Sequence, residues 1–200
     1  MYEYGKIAAM NAGKSTALLQ VAHNYEERGM RVLLFTAAHD HRADSGQIGS
    51  RLGITRPAIT FGTDTAFTAA HLQALAGAPV ACLLIDEAQF LTTAQVRQLH
   101  RMAHADHLPV ICWGLRSDFR GEAFEGSAAL LTLADEVEEM KSICACARKA
   151  TMNIRIDAQG RRVQQGEQVE IGGNERYRAV CPACFYADED GGAVAPGLFG

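Results

Sequence analysis

The stretch Ala8-Ala9-Met10-Asn11-Ala12-Gly13-Lys14-Ser15-Thr16 decides how this chain is read. It follows a short extended run and opens a segment whose apolar residues Leu18, Val21, Ala22 and Tyr25 share one helix face, ending at Gly29. The helix is therefore expected from about Gly13 to Arg28. A loop that cradles phosphates needs a glycine whose backbone can approach an anion, a lysine that reaches the β and γ phosphates, and a hydroxyl for Mg²⁺. Gly13, Lys14 and Ser15 supply all three, and the helix N-terminus would point its dipole at the phosphates. The first glycine of the usual G-x-x-x-x-G-K-[ST] pattern is Ala8 here.

Two hundred residues, 48% of them hydrophobic, suffice for one α/β domain with a small appendage. The net charge of −4, with both signs scattered, gives no electrostatic footprint for a long polyanion, so no nucleic-acid partner is expected. Met1 to Lys6 lacks an apolar signal core, and no apolar run approaches the roughly 20 residues that cross a bilayer. A cytoplasmic protein with no membrane partner is the expectation.

Outward from the loop, Arg31 to Thr36 reads as a buried strand, completing a βαβ unit. The polar loop after it carries Arg42, placed where open α/β sheets bind ligands. His23, His39 and His41 have no spaced partners and are read as surface residues. A helix is expected from Thr65 to about Ala76, then a strand from Val80 to Ile85 that runs into Asp86-Glu87-Ala88-Gln89-Phe90. A hydrophobic strand ending in an acid places a carboxylate beside Mg²⁺, the expected role of Asp86. Glu87, next to it, could accept a proton from an attacking hydroxyl. The pair is a poor cap for the next helix, because Thr92 and Gln95 already form a capping-box pattern there. That helix, about Thr93 to Ala105, is followed by a strand from Pro109 to Gly114. The segment from Leu115 to Gly126 then sets Phe119 and Phe124 among arginines and glycines at the ligand-bearing edge, which suits a planar base and its phosphates. Ser127 to Ala134 is expected as a helix and Val137 to Ile143 as one strand.

Cys82 and Cys112 lie in apolar runs and read as small buried hydrophobes. Cys144-Ala145-Cys146 and Cys181-Pro182-Ala183-Cys184 bracket a segment with hairpin signals at Met152, Ile154 and Ile156, Asp157 to Gly160, and Val163, Val169 and Ile171. Two pairs of thiolates joined by a hairpin would surround one tetrahedral structural Zn²⁺, which would substitute for a core in so short a module. The loop Gly172 to Tyr177 could reach back over the site as a lid. These readings divide the chain into a nucleotide-binding domain (1–141), a zinc-binding lasso module (142–186) and a disordered tail (187–200).

The blocks at positions 9–16, 86–90, 114–122, 146–151 and 171–177 together resemble the thymidine kinases of the zinc-containing, tetrameric type, and their bacterial branch in particular. The resemblance implies an α/β fold with a P-loop, RecA-like, mostly parallel sheet flanked by helices, plus a small C-terminal zinc-binding lasso. It implies transfer of the γ-phosphoryl group of ATP to the 5′-hydroxyl of thymidine or deoxyuridine, feedback inhibition by dTTP, and a homotetramer. Carried over residue by residue, Ala9, Met10, Asn11, Ala12, Gly13, Lys14, Ser15 and Thr16 would hold the ATP phosphates with Arg42 near the transferring group. Ser15, Asp86 and Gln89 would serve Mg²⁺, and Glu87 would be the catalytic base. Met10, Phe90, Leu115, Phe119, Phe124, Asn153, Ile171, Gly172, Gly173 and Tyr177 match the nucleoside pocket, and Cys144, Cys146, Cys181 and Cys184 the zinc site. Ala8 and Ala147 stand where the family often has glycine, and Cys144-x-Cys146 is a shortened knuckle.

Two rival readings carry different expectations. A P-loop ATPase or GTPase whose zinc knuckle binds nucleic acid or protein would use a basic patch among Arg148, Lys149, Arg161, Arg162, Arg176 and Arg178. A non-enzymatic nucleotide sensor would tolerate loss of Glu87.

Overall fold

Parallel strands that are buried on both faces read as continuous apolar runs, and the runs ending at Ile85 and Gly114 become the middle of the sheet. The computed structural model describes residues 3–10, 12–38, 46–169 and 176–187. Six strands, β1 (Glu3–Ala8), β2 (Val32–Ala37), β5 (Ile59–Phe61), β6 (Cys82–Ile85), β7 (Val110–Leu115) and β8 (Glu136–Met140), form one sheet in the order β5-β2-β6-β7-β1-β8. Every pairing in it is parallel. Strand β7 sits between β1, which leads to the phosphate loop, and β6, which leads to Asp86.

The pleat sends alternate residues of β6 to opposite layers. Leu83 and Ile85 join Phe35, Phe67, Val96, Leu99, Met102 and Leu130 in a core under α3 (Thr93–Ala105) and α4 (Glu125–Leu133). Cys82 and Leu84 join Leu18, Leu19, Ala22 and Trp113 under α1 (Lys14–Glu26). Cys82 and Cys112 are buried as expected, and burial pushes the Cys82 thiol up to about 12. The capping box forms: Thr92 Oγ1 accepts from Gln95 N, and Gln95 Oε1 accepts from Thr92 N.

Several boundaries move for identifiable reasons. Helix α2 (Ala69–Ala76) starts four residues later than Thr65, because the Thr65 hydroxyl accepts Gly62 N–H and its carbonyl is taken by Gln95; Thr68 caps instead, accepting from His71 N. Helix α4 starts at Glu125, whose carboxylate accepts Thr93 N–H at 2.7 Å. The single strand expected over Val137 to Ile143 is two, β8 and β9 (Ser142–Ile143). The edge strand β5 and the hairpin of β3 (Gln47–Gly49) with β4 (Thr55–Pro57) carry too few residues each to show a period.

The C-terminal module holds a β9–β10 hairpin, with β10 at Lys149–Ala150. A second sheet has the order β12-β11-β13, formed by Arg162–Val163, Met152–Ile156 and Tyr177–Val180. The hairpin turn is closed by Asp157, which accepts Gln159 N and Arg161 N at 2.9 and 2.8 Å. The sequence suggested a module with almost no core. It has one, in which Cys144, Ala150, Ile154, Ile156, Val180, Cys181 and Phe185 cluster. Phe185 comes from an unexpected helix, α5 (Pro182–Ala187), opened by a proline at its first position.

Candidate active site

Helix α1 begins where the chain must turn sharply out of β1. Gly13 provides the turn at φ 77°, ψ 22°, a left-handed conformation that costs a glycine little, and Ala17 N–H donates to its carbonyl at 3.0 Å. Ala9 is buried, Met10, Ala12, Ser15 and Thr16 are half-buried, and Lys14 is buried to 9% exposure in the first turn. Across from this turn, Ser15 Oγ donates to Asp86 Oδ2 at 3.0 Å, so the loop helix and the end of β6 meet directly. Asp86 Oδ1 accepts Glu87 N–H at 3.0 Å. Burial, then the neighbouring Glu87 charge, pushes the Asp86 carboxyl up to about 7, against the opposing pull of Lys14 and the Ser15 hydroxyl.

Glu87 is one of three non-glycine residues with positive φ among those described, at φ 52°, ψ 39°. Its strain is over-determined by what surrounds it. Gln89 Nε2 donates to Glu87 Oε2 at 2.6 Å, while Gln89 Oε1 accepts Leu115 N–H at 3.0 Å. Both ends of this buried amide, expected beside a metal, are thus engaged within the protein. The turn Ala88–Phe90 is seated between two glycines. A Cβ on Gly114 would lie 3.0 Å from Gln89 N, and one on Gly126 would lie 2.5 Å from the Ala88 carbonyl oxygen.

Beyond the acidic pair lie the aromatic residues. Phe90 and Phe124 pack edge to face with centroids 5.9 Å apart, and Leu115 ends β7 beside Gln89. Phe119 is fully buried, with the Arg155 guanidinium 3.9 Å above its ring. Asn153, buried in β11, accepts Met10 N–H at 2.8 Å and donates to the Ser117 carbonyl at 3.0 Å, stitching the module to the phosphate loop. Tyr177 opens β13 opposite Arg155. Asn11, Arg42, Ile171, Gly172 and Gly173 lie outside the described residues, as does the tail from 188 onward.

Sequence reasoning missed a group that holds residues 165–168 of the C-terminal module. Asp118 accepts Arg120 N and Glu122 N, each at 2.9 Å, the Arg120 guanidinium, and Gln168 Nε2 at 3.3 Å. Arg155 donates to the Gln165 and Glu167 carbonyls at 3.2 and 3.1 Å. Asp118 sat inside a matching block, but nothing in a lone β-strand arginine such as Arg155 signals a buried partner for Phe119.

The four cysteines of the module converge. Their Sγ atoms lie within 4.8 Å of one another, and Cys146 Sγ is 3.5 Å from Cys181 Sγ. Bonds of about 2.3 Å to a tetrahedral Zn²⁺ place sulfurs roughly 3.8 Å apart, so the donor set fits zinc. The Cys184 backbone N–H draws the Cys181 thiol down to about 7, while burial and the neighbouring thiols raise Cys184. The short first knuckle closes through Ala147 N–H to the Cys144 carbonyl at 2.8 Å, with Ala147 at φ 66°. Nearby cations of the proposed basic patch are already engaged: Lys149 pairs with Glu139, Arg161 with Asp157, and Arg162 stacks on Phe185. Among the described residues no helix is long and apolar enough to cross a membrane.

Comparison with known proteins gives one answer. The family model described as thymidine kinase matches residues 5–185. The chain is 63% identical over 184 residues to a thymidine kinase of Albidiferax ferrireducens, covering 92% of this chain and 91% of the relative. It is 56% identical over 183 residues to one of Chromobacterium violaceum, covering 92% and 97%. It is 53% identical over 178 residues to one of Idiomarina loihiensis, covering 89% and 92%. Similarity of this extent, running through the phosphate loop, the acidic turn and both cysteine pairs, admits a single conclusion: the chain belongs to the thymidine kinase family and is a nucleoside kinase.

Proposed function

We propose that this chain transfers the γ-phosphoryl group of ATP to the 5′-hydroxyl of thymidine and of deoxyuridine, is inhibited by dTTP, and acts as a cytoplasmic homotetramer. The observation that carries the catalytic reading is the 3.0 Å bond from Ser15 to Asp86, because it sets the loop with Lys14 against the turn with Glu87. Phosphoryl transfer asks a protein mainly for alignment and charge neutralisation. Residues 9–16, with Lys14 and the loop amides foremost, bind the triphosphate, and Arg42 approaches the transferring group. Ser15 and Asp86 are the residues that would hold Mg²⁺, which when bound neutralises charge on the β and γ phosphates. Glu87 takes the proton of the 5′-hydroxyl.

Gln89 stands with Ser15 and Asp86 in the Mg²⁺ set and also positions Glu87, since its amide nitrogen donates to the carboxylate and its oxygen accepts Leu115 N–H. Met10, Phe90, Leu115, Phe119, Phe124, Asn153 and Tyr177 shape the nucleoside pocket, with Ile171, Gly172 and Gly173 closing over the base. Cys144, Cys146, Cys181 and Cys184 hold a structural zinc. A nucleoside panel with Mg-ATP tests this reading: thymidine and deoxyuridine should be phosphorylated, and dTTP should inhibit. Equal turnover of deoxycytidine or purine nucleosides would overturn it.

A further inference from the structure

A second cluster of metal-binding side chains lies away from the cysteines. Among the described residues, two groups of His, Cys, Asp or Glu bring three or more donor atoms together: the four cysteines, and His100, His104 and Asp135. His100 and His104 are one turn apart on α3, so they project from the same side of the helix. Their rings stand 4.6 Å apart, tilted by 53°. Asp135 comes from a different element, the connection between α4 and β8, and sets Oδ2 at 3.1 Å from His104 Nε2. All three residues are half-buried or exposed, and their donor atoms lie within 4.8 Å of one another.

The backbone that carries these residues is anchored at both ends. Val96, Leu99, Met102 and Ala103 bury the opposite side of α3, and Thr93 N–H bonds Glu125 at the far end of the α3–α4 pair. The donors therefore meet because two packed helices bring them together. Imidazole and carboxylate ligands hold a first-row transition ion at about 2.0–2.2 Å, which requires donors roughly 3.3–3.5 Å apart in a tetrahedral site. The His104–Asp135 pair already spans close to that distance, and the half-buried His100 ring holds its donor atom within 4.8 Å of both. Two nitrogens and one oxygen suit zinc-like ions far better than Mg²⁺ or Ca²⁺, which take oxygen ligands.

We propose that His100, His104 and Asp135 form a second, open metal site for a zinc-like divalent ion, held by three protein ligands. The site lies at the C-terminal end of α3 and just before β8, at the N-terminal ends of the parallel strands, whereas the phosphate loop follows the C-terminal end of β1. An ion there touches no substrate; it clamps α3 to the connection that leads into edge strand β8. It is independent of the cysteine cluster and of the nucleoside reading above.

The test uses the full chain with its cysteine site loaded, dialysed against rising free Zn²⁺ while bound metal is counted. Wild type is expected to take up a second equivalent and to gain thermal stability with it, as binding to the folded state requires. His100→Ala and His104→Ala should each weaken that equivalent at least about tenfold and lose the zinc-dependent rise in melting temperature, while keeping the first equivalent. Cys181→Ser should lose the first and keep the second. Uptake stopping at one equivalent, or a second equivalent unchanged in the double variant His100→Ala/His104→Ala, would overturn the proposal.

Discussion

Asp86 faces two demands under the proposed function, since burial favours its neutral form and the Mg²⁺ it would hold requires the charged one. Its carboxyl is raised from 3.8 to about 7 in the folded chain, first by burial and then by Glu87. A folded value above the unfolded one means that its contribution to stability is full below about pH 4 and fades as pH rises through about 7. In metal- and nucleotide-free protein, Asp86→Asn should therefore gain stability over wild type as pH goes from 5 to 8, measured by urea denaturation. A difference that stays flat across that range would mean that Asp86 ionises normally. Ala147 makes a second residue-scale prediction. Its φ of 66° costs an alanine about 1 kcal/mol that a glycine does not pay. Ala147→Gly should raise stability by roughly that amount and slow zinc loss to a chelator. The left-handed turn at Gly13 and the meeting of Ser15 with Asp86 could be read from the chain because a phosphate loop and a strand-end acid demand those residue types at fixed offsets. The hydrogen bonds of Gln89 to the Glu87 carboxylate and to Leu115 N–H were not legible in the chain, because only the fold brings those two groups to its amide.

At the scale of elements, the acidic turn depends on what lies beneath it. The chain from Ala88 to Phe90 rests on the first turn of α4 so closely that only Gly126 fits. Gly126→Ala should displace the turn that orients Glu87, costing about 2 kcal/mol of stability and at least tenfold in kcat. Gly49→Ala, whose Cβ would meet nothing nearer than 3.7 Å, is the control and should leave kcat unchanged. The central strands and the helices α1 and α3 were legible because long apolar runs and 3.6-residue spacing fix them. Strand β5 was not, since its partner β2 is distant in sequence, and the β3–β4 hairpin was not, since three residues per strand are too few to show a period. Helix α5 was hidden because its Cys-Pro-Ala-Cys opening reads as a knuckle, and its apolar anchor is the single Phe185.

Across the whole molecule, the cysteine module and the sheet domain are joined at the site itself. Arg116 donates to the Thr151 carbonyl at 2.8 Å, and Asn153 bridges Met10 and Ser117. Loss of the metal should therefore be felt by the nucleoside side more than by ATP. Cys181→Ser should lose zinc and raise the KM for thymidine at least about tenfold, with ATP affinity within a factor of about three. Unchanged zinc content would contradict the four-thiolate site. The central claim, that one acidic pair facing one phosphate loop performs the transfer, is tested most directly by Glu87→Gln. Phosphorylation of thymidine should fall by about 10²- to 10⁴-fold while ATP still binds, because the base is removed and the phosphate cradle is intact. Near-normal turnover by that variant would contradict the account.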